Sequence, residues 1–170
     1  MAYRNGFTLI ELVMVLVLIG ILAVFVAPRL PNITASHAIS FSDKLRADIR
    51  YAQNLAMTRN RRTRVTLTNT SYAITQDSSA ASNCGSFAAV GDPASGGNLS
   101  VALDTGSFAG ITLTVPAMTC LEYDSLGRPY NCTLFPVSCS TTLSGIIVPI
   151  NANAVAVGSV TVSSQTGAVN

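Results

Sequence analysis

Residues Gly6 to Pro28 read GFTLIELVMVLVLIGILAVFVAP. From Phe7 to Ala27 the only charge is Glu11. As a helix rising 1.5 Å per residue, this run would extend about 31 Å, close to the ~30 Å hydrocarbon core of a bilayer. A secretory signal carries a shorter apolar region, about 7–15 residues, followed by a small-x-small cleavage site. Here the run is longer and passes directly into Pro28 and Arg29. The expectation is a retained membrane span behind a very short leader that contains Arg4. Glu11 is out of place in such a span, because a carboxylate at mid-membrane costs roughly 2.5–3.5 kcal/mol on insertion scales. It therefore needs the interface, a partner or a function.

The remaining chain is different in kind. All 170 residues together are 49% apolar but only 11% charged, with a mean hydropathy of +0.45. Average soluble domains carry about 25% charge. The apolar excess is concentrated in the first span, and the chain beyond it is rich in Ser and Thr. The net charge of +2 hides an asymmetry. Arg29 to Arg64 holds eight bases and two acids, whereas Val65 to Asn170 holds one base and five acids. Four cysteines, Cys84, Cys120, Cys132 and Cys139, all lie beyond the basic stretch, none in a CxxC spacing, and His37 is the only histidine. That set argues against zinc and for disulfides, hence for an oxidising compartment.

After Pro28 and Pro31, Phe41, Leu45, Ile49, Ala52 and Ala56 recur at helical spacing and define one apolar stripe. Ser40 or Ser42 is a candidate cap, unless Ala38 and Ile39 are already helical. The expectation is one long helix from Phe7 to about Asn60, kinked at the prolines. Short strands are expected at Thr63–Thr68, Ser71–Thr75, Leu99–Leu103, Ile111–Val115, Thr119–Asp124, Gly145–Ile150 and Val160–Ser163, with a long loop from Asp77 to Asn98. A helix before antiparallel strands makes the class α+β. Asp124-Ser125-Leu126-Gly127-Arg128 reads as a hairpin turn with Gly127 left-handed. Pairing Asp124 with Arg128 carries Cys120 opposite Cys132. A local Cys132–Cys139 link is the alternative, and four cysteines allow three connectivities. The preferred set is Cys120–Cys132 with Cys84–Cys139.

The segment Gly6-Phe7-Thr8-Leu9-Ile10-Glu11-Leu12 resembles the processing site of type IV pilins and type II secretion pseudopilins. In that family a glycine precedes the cleaved bond, Phe usually follows it, and Glu is the fifth mature residue, as Glu11 is here. Gly20 and Pro28 match the family's helix-loosening positions. The resemblance implies a leader over 1–6, a transmembrane and filament-core helix over 7–27, an amphipathic half over 28–60 and a periplasmic β-rich domain over 61–170. This is the pilin-like fold, a long kinked helix packed on an antiparallel sheet. It implies cleavage after Gly6 by prepilin peptidase, N-methylation of Phe7, and pairing of Glu11 with the new amine of a neighbouring subunit. The implied partners are other pilins or pseudopilins, the assembly platform and lipid of the bacterial inner membrane, and finally a filament at the cell surface.

Weaker motifs resemble the minor-pilin branch, which includes the H-type pseudopilin and the fimbrial-biogenesis and mannose-sensitive haemagglutinin minor pilins. They are Leu45-Arg46-x3-Arg50-Tyr51-Ala52-Gln53-x2-Ala56, Glu122-Tyr123-Asp124-x2-Gly127-Arg128-Pro129 and Val160-Thr161-Val162-x3-Thr166-Gly167. The expected function is a structural minor pilin for filament initiation or tip assembly. A pseudopilin of a type II secretion system is one alternative, and a DNA-binding minor pilin for DNA uptake is another. The cluster Arg59, Arg61, Arg62 and Arg64 is the candidate anion contact, read first as a solvated helix end and second as a phosphate site. Relatives tied to DNA uptake carry arginines near the C-terminus. Here Gly167 is followed by Ala168-Val169-Asn170. No nucleophile elbow, P-loop or dinucleotide fingerprint occurs, so no enzyme, metal or cofactor is expected.

Overall fold

A computed structural model describes residues 7–26, 33–79, 84–115, 119–132 and 142–170. The chain divides into two compact units, Met1–Asn32 and Ile33–Asn170. The first contains helix α1, Leu9–Val26. The second contains helix α2, Ile33–Arg59, and, among the described residues, nine strands. The expected single helix is thus two described helices, and the kink expected at Pro28 lies outside the described residues. Gly20 sits inside an uninterrupted α1. With 18 residues α1 is about 27 Å long. Among the described residues no helix is long and apolar enough to cross a membrane.

The stripe on α2 does what its spacing predicts. Phe41, Leu45, Ile49, Ala52 and Ala56 are all fully buried. Phe41 meets the Phe108 ring edge-on at 5.3 Å and the Tyr72 ring at 6.1 Å. The helix stops where Asn60 turns left-handed, at φ 50. Its start corrects the expectation about caps. Ser40 and Ser42 lie well inside the helix, and their hydroxyls donate back to the carbonyls of Ser36 and Ile39. His37 is exposed.

Two sheets bury that stripe. The larger is built from β1 (Thr63–Leu67), β2 (Ser71–Asp77), β3 (Phe87–Ala89), β4 (Ser100–Ala102), β6 (Thr119–Tyr123) and β7 (Pro129–Cys132). Its order is β3-β2-β1-β6-β7, with β4 also pairing β2. The smaller has β8 (Ile146–Ala152) between β5 (Ile111–Leu113) and β9 (Val155–Val162). Alternation sorts the faces. Val65, Leu67, Ile74, Leu121 and Tyr123 enter the common core with Ile111, Leu113, Val148, Ile150, Val160 and Val162. The expected loop from Asp77 to Asn98 instead contributes β3 and a bridge between Gly91 and Asn98. The last strand begins five residues earlier than expected, at Val155.

The hairpin register is the one read from the sequence. Tyr123 faces Pro129, Cys120 faces Cys132, and Gly127 has φ 75. Cys120 and Cys132 are disulfide-bonded with Cα atoms 5.4 Å apart. Cys84 is also in a disulfide; its expected partner, Cys139, lies outside the described residues.

The C-terminal tail returns to the core at Gly167, which has φ 69. A Cβ there would lie 2.7 Å from the Gly127 carbonyl oxygen and 2.8 Å from the Tyr123 ring. Gly167→Ala is therefore expected to lower stability by at least about 2 kcal/mol, roughly 4–8 °C in Tm. Gly96 has φ 73 with open space at its Cβ, so Gly96→Ala carries only the backbone penalty, about 1–2 kcal/mol. Thermal melts of the two variants check this: equal shifts would show that the close approach at Gly167 is not tight.

Candidate functional site

The N-terminal site starts with a cap. Gly6 lies outside the described residues, and Phe7 is exposed. The Thr8 carbonyl accepts the amides of Glu11 at 3.1 Å and Leu12 at 3.2 Å. The Thr8 hydroxyl accepts the Glu11 amide at 3.4 Å. Thr8-Leu9-Ile10-Glu11 is the T-x-x-E pattern of a capping box, and it places an acid at the positive end of the helix dipole. Sequence reasoning gave Glu11 either the interface near the positive helix end or an intermolecular partner and missed the Thr8 cap, although the four-residue pattern is the signal for it. Among the described residues no ion pair reaches Glu11. Beyond the cap, every large apolar side chain from Leu9 to Leu22 is exposed. A helix apolar on all sides cannot remain so in water; lipid or other protein must cover it.

The arginine cluster is not a single patch. Arg59 donates to the Gln76 side-chain carbonyl at 3.1 Å and Arg61 to the Asp77 backbone carbonyl at 3.1 Å. Arg62 and Arg64 turn onto the outer face of the larger sheet. There they meet the fully buried Glu122 at 3.2 and 2.5 Å. The ring of Tyr130 lies under Arg62 at 4.6 Å, and that of Phe87 under Arg64 at 3.8 Å. A carboxylate without water needs this company. The solvated helix end expected for these residues is thus replaced, at Arg62 and Arg64, by a buried intramolecular pairing. Their partner was hidden because Arg64 meets Glu122 only through the pairing of β1 with β6.

The three weaker motifs converge on one place. From α2, Arg50 donates to the Val169 carbonyl at 2.7 Å, and the Gln53 amide donates to the carbonyls of Gly127 at 2.8 Å and Thr166 at 3.0 Å. From β6, the Tyr123 hydroxyl donates to the Gly167 carbonyl at 3.3 Å. Burial raises the Tyr123 pKa, so the phenol remains a donor. The residues that define the motifs thus bind the helix, the hairpin turn and the tail to one another.

Among the described residues no group of three His, Cys, Asp or Glu side chains gathers to hold a metal. Residues 1–27 match the prokaryotic N-terminal methylation motif. No curated protein and no solved structure matches the chain. The motif match places the signature of type IV pilins and pseudopilins on this chain, and that family is structural, not enzymatic. The signature implies processing by prepilin peptidase and assembly with other pilins. It fits a membrane-anchored subunit that becomes part of a surface filament.

Asp124 holds the hairpin turn in shape. Its carboxylate accepts the amides of Leu126 and Arg128, both at 2.9 Å, the Arg128 guanidinium at 2.7 Å and the Tyr130 hydroxyl at 3.0 Å. Burial alone would raise its pKa, but the Arg128 amide and side chain, with Leu126 and Tyr130, outweigh that and hold it below the usual carboxylate value. A depressed folded pKa gives stability above the unfolded value, near 3.9, that is lost as pH falls through the folded one. Asp124→Asn is expected to cost about 1.5–3 kcal/mol at pH 7. The gap to wild type closes below about pH 4. Chemical denaturation at both pH values checks this; a gap that persists in acid contradicts the assignment.

Proposed function

We propose that the chain is a structural minor pilin that helps to initiate or cap a type IV pilus. The observation that carries this reading is the methylation motif on a capped helix whose large apolar side chains from Leu9 to Leu22 are exposed. In this reading residues 1–6 are a leader removed after Gly6, and Phe7 becomes the N-methylated first residue. Residues 7–27 anchor the subunit in the bacterial inner membrane as a single pass and later enter the filament core. Residues 28–60 are the amphipathic half of the helix. The domain over 61–170 is periplasmic, and the Cys120–Cys132 disulfide supports an oxidising compartment. The assembly platform and neighbouring pilins are its partners. The three converging motifs support the minor-pilin branch over a major subunit. A secretion pseudopilin remains the alternative, since it shares the same N-terminus. The DNA-uptake reading gains no support from Arg62 and Arg64, which are engaged by Glu122.

Glu11 has two jobs to separate, the cap on its own helix and the charge offered to a neighbour's Phe7 amine. Glu11→Gln keeps a capping-box side chain and removes the charge, whereas Glu11→Ala removes both. Both variants are expected to reach the membrane at wild-type levels and to be cleaved. Both are also expected to be under-represented in filaments, by about fivefold or more for a lost interaction above 1 kcal/mol. Quantitative blots of membrane and sheared filament fractions read this out. Normal incorporation of Glu11→Gln would leave Glu11 as a cap only.

A further inference from the structure

Asn153 and Ala154, left-handed at φ 49 and φ 65, turn β8 into β9. This turn lies beside the first turn of α2. The Asn153 amide donates to the Gly110 carbonyl at 3.0 Å. A Cβ built on Gly110 would stand 3.1 Å from Asn153 Oδ1 and 3.6 Å from the Thr34 methyl. From there β9 runs alongside α2 in the same direction. Val157 and Gly158 share a small cavity with Ile39 and Ser42, and the Ser159 carbonyl accepts the Arg46 guanidinium at 3.3 Å. Residues 153–156 are all exposed, Val155 at 67%. Ile39, less than two turns into the helix, is 59% exposed. Charge is sparse at this end of the domain. β5, β8 and β9 contain no charged residue, and His37 is the only titratable side chain over 33–42. The loop before Gly110 carries one acid, Asp104. The first charge on α2 is Asp43, ten residues in and about 15 Å along the axis. Charge gathers instead at the other end of α2, with Arg59 and Arg61 and, on the β6–β7 turn that Gln53 holds, Asp124 and Arg128.

We infer that the β8–β9 turn is a membrane-contacting tip, with Val155 entering the headgroup layer of the bilayer that anchors the subunit. The inference rests on the anchored-subunit reading above. The chain itself selects the occupant. Seven Cα steps separate Val26 from Ile33 and can span at most about 25 Å. Within the second unit, the start of α2 is therefore the point held to the bilayer, and the turn beside it shares that tether. One exposed valine is too small an apolar contact to bring a free domain to a surface. A tether this short makes docking an intramolecular step, for which a small apolar contact suffices. The headgroup layer is about 5–7 Å deep on each side of the hydrocarbon core. A neutral turn and a valine enter it without the desolvation that a charge would require.

The test uses the full chain in nanodiscs of phosphatidylethanolamine and phosphatidylglycerol. An environment-sensitive fluorescent amino acid is placed singly at Leu16, Ile39, Leu126 or Ala156. Lipid with a nitroxide on its headgroup is the quencher for the last three positions, and lipid with an acyl-chain nitroxide is the quencher for Leu16. Quenching is expected to be strong at 156, weaker at 39 and at background at 126, which lies on the charged β6–β7 turn. Val155→Asp is expected to lower the docked-to-free ratio about tenfold, the effect of losing one partly buried valine, and to bring the signal at 156 down towards that at 126. Val155→Leu is expected to keep it. Val155→Ser serves as the milder polar variant if the aspartate lowers the melt. Equal quenching at 156 and 126, or quenching at 156 that survives both polar variants, would overturn the inference. The label at Leu16 separates the two readings. A quenched Leu16 label with 156 at background contradicts the tip alone, whereas a Leu16 label that lipid does not quench contradicts the anchored reading beneath it.

Discussion

The amide of Gln53 donates to two carbonyls, those of Gly127 and Thr166, that are 74 and 113 residues away in sequence. Through those two bonds the outward side of α2 is tied to the β6–β7 turn and to the C-terminal tail. Two glycines make it possible. Gly127 and Gly167 are both left-handed, and each lies so close to Gln53 that a Cβ would crowd its amide. Arg50, one turn earlier, takes the carbonyl of Val169. The tail then closes the smaller sheet by bridging Val169 to Val162. The apolar stripe of α2 is buried in the common core with the strands, and that burial is non-directional. The hydrogen-bonded clasp decides where along the helix the two sheets come to rest.

Glu122 imposes a second constraint on the opposite face of the larger sheet. It is fully buried and shared by Arg62 and Arg64. Pairs of this kind contribute little net stability compared with apolar residues, but leaving the carboxylate alone costs about 3–5 kcal/mol. A slip of β1 against β6 by one residue would move the arginines to the helix side and strand the acid. The triad therefore fixes the register of β1 against β6. Asp77 organises the neighbouring loop, accepting the amides of Ser79 and Cys84.

Much of this was legible where the signal is local. The stripe from Phe41 to Ala56 follows from helical period, and the turn from Asp124 to Arg128 follows from Gly127 and fixes the Cys120–Cys132 register. Thr8 and Glu11 also spell a cap within four residues, a local signal that the sequence reading passed over. The parts that were not legible depend on distant segments. β3 is a short Phe-Ala-Ala stretch that becomes a strand only because β2 offers an edge. Ser40 and Ser42 resemble caps in isolation, yet the helix had already begun at Ile33. The arginines at 62 and 64 looked like a solvated end because Glu122 lies about sixty residues on. The convergence of Arg50, Gln53, Gly127 and Gly167 required the fold itself.

The large apolar side chains of α1 are exposed from Leu9 to Leu22. Its signature assigns their cover to a membrane and then to other subunits, and the assignment begins with one bond. The most direct measurement is the N-terminal residue of the chain recovered from cells that contain a prepilin peptidase, read by mass spectrometry of the first peptide. The account predicts a chain that starts at N-methylated Phe7, six residues shorter than the translated one. A chain that still carries Gly6 and an unmodified Phe7 in the presence of an active peptidase would contradict it.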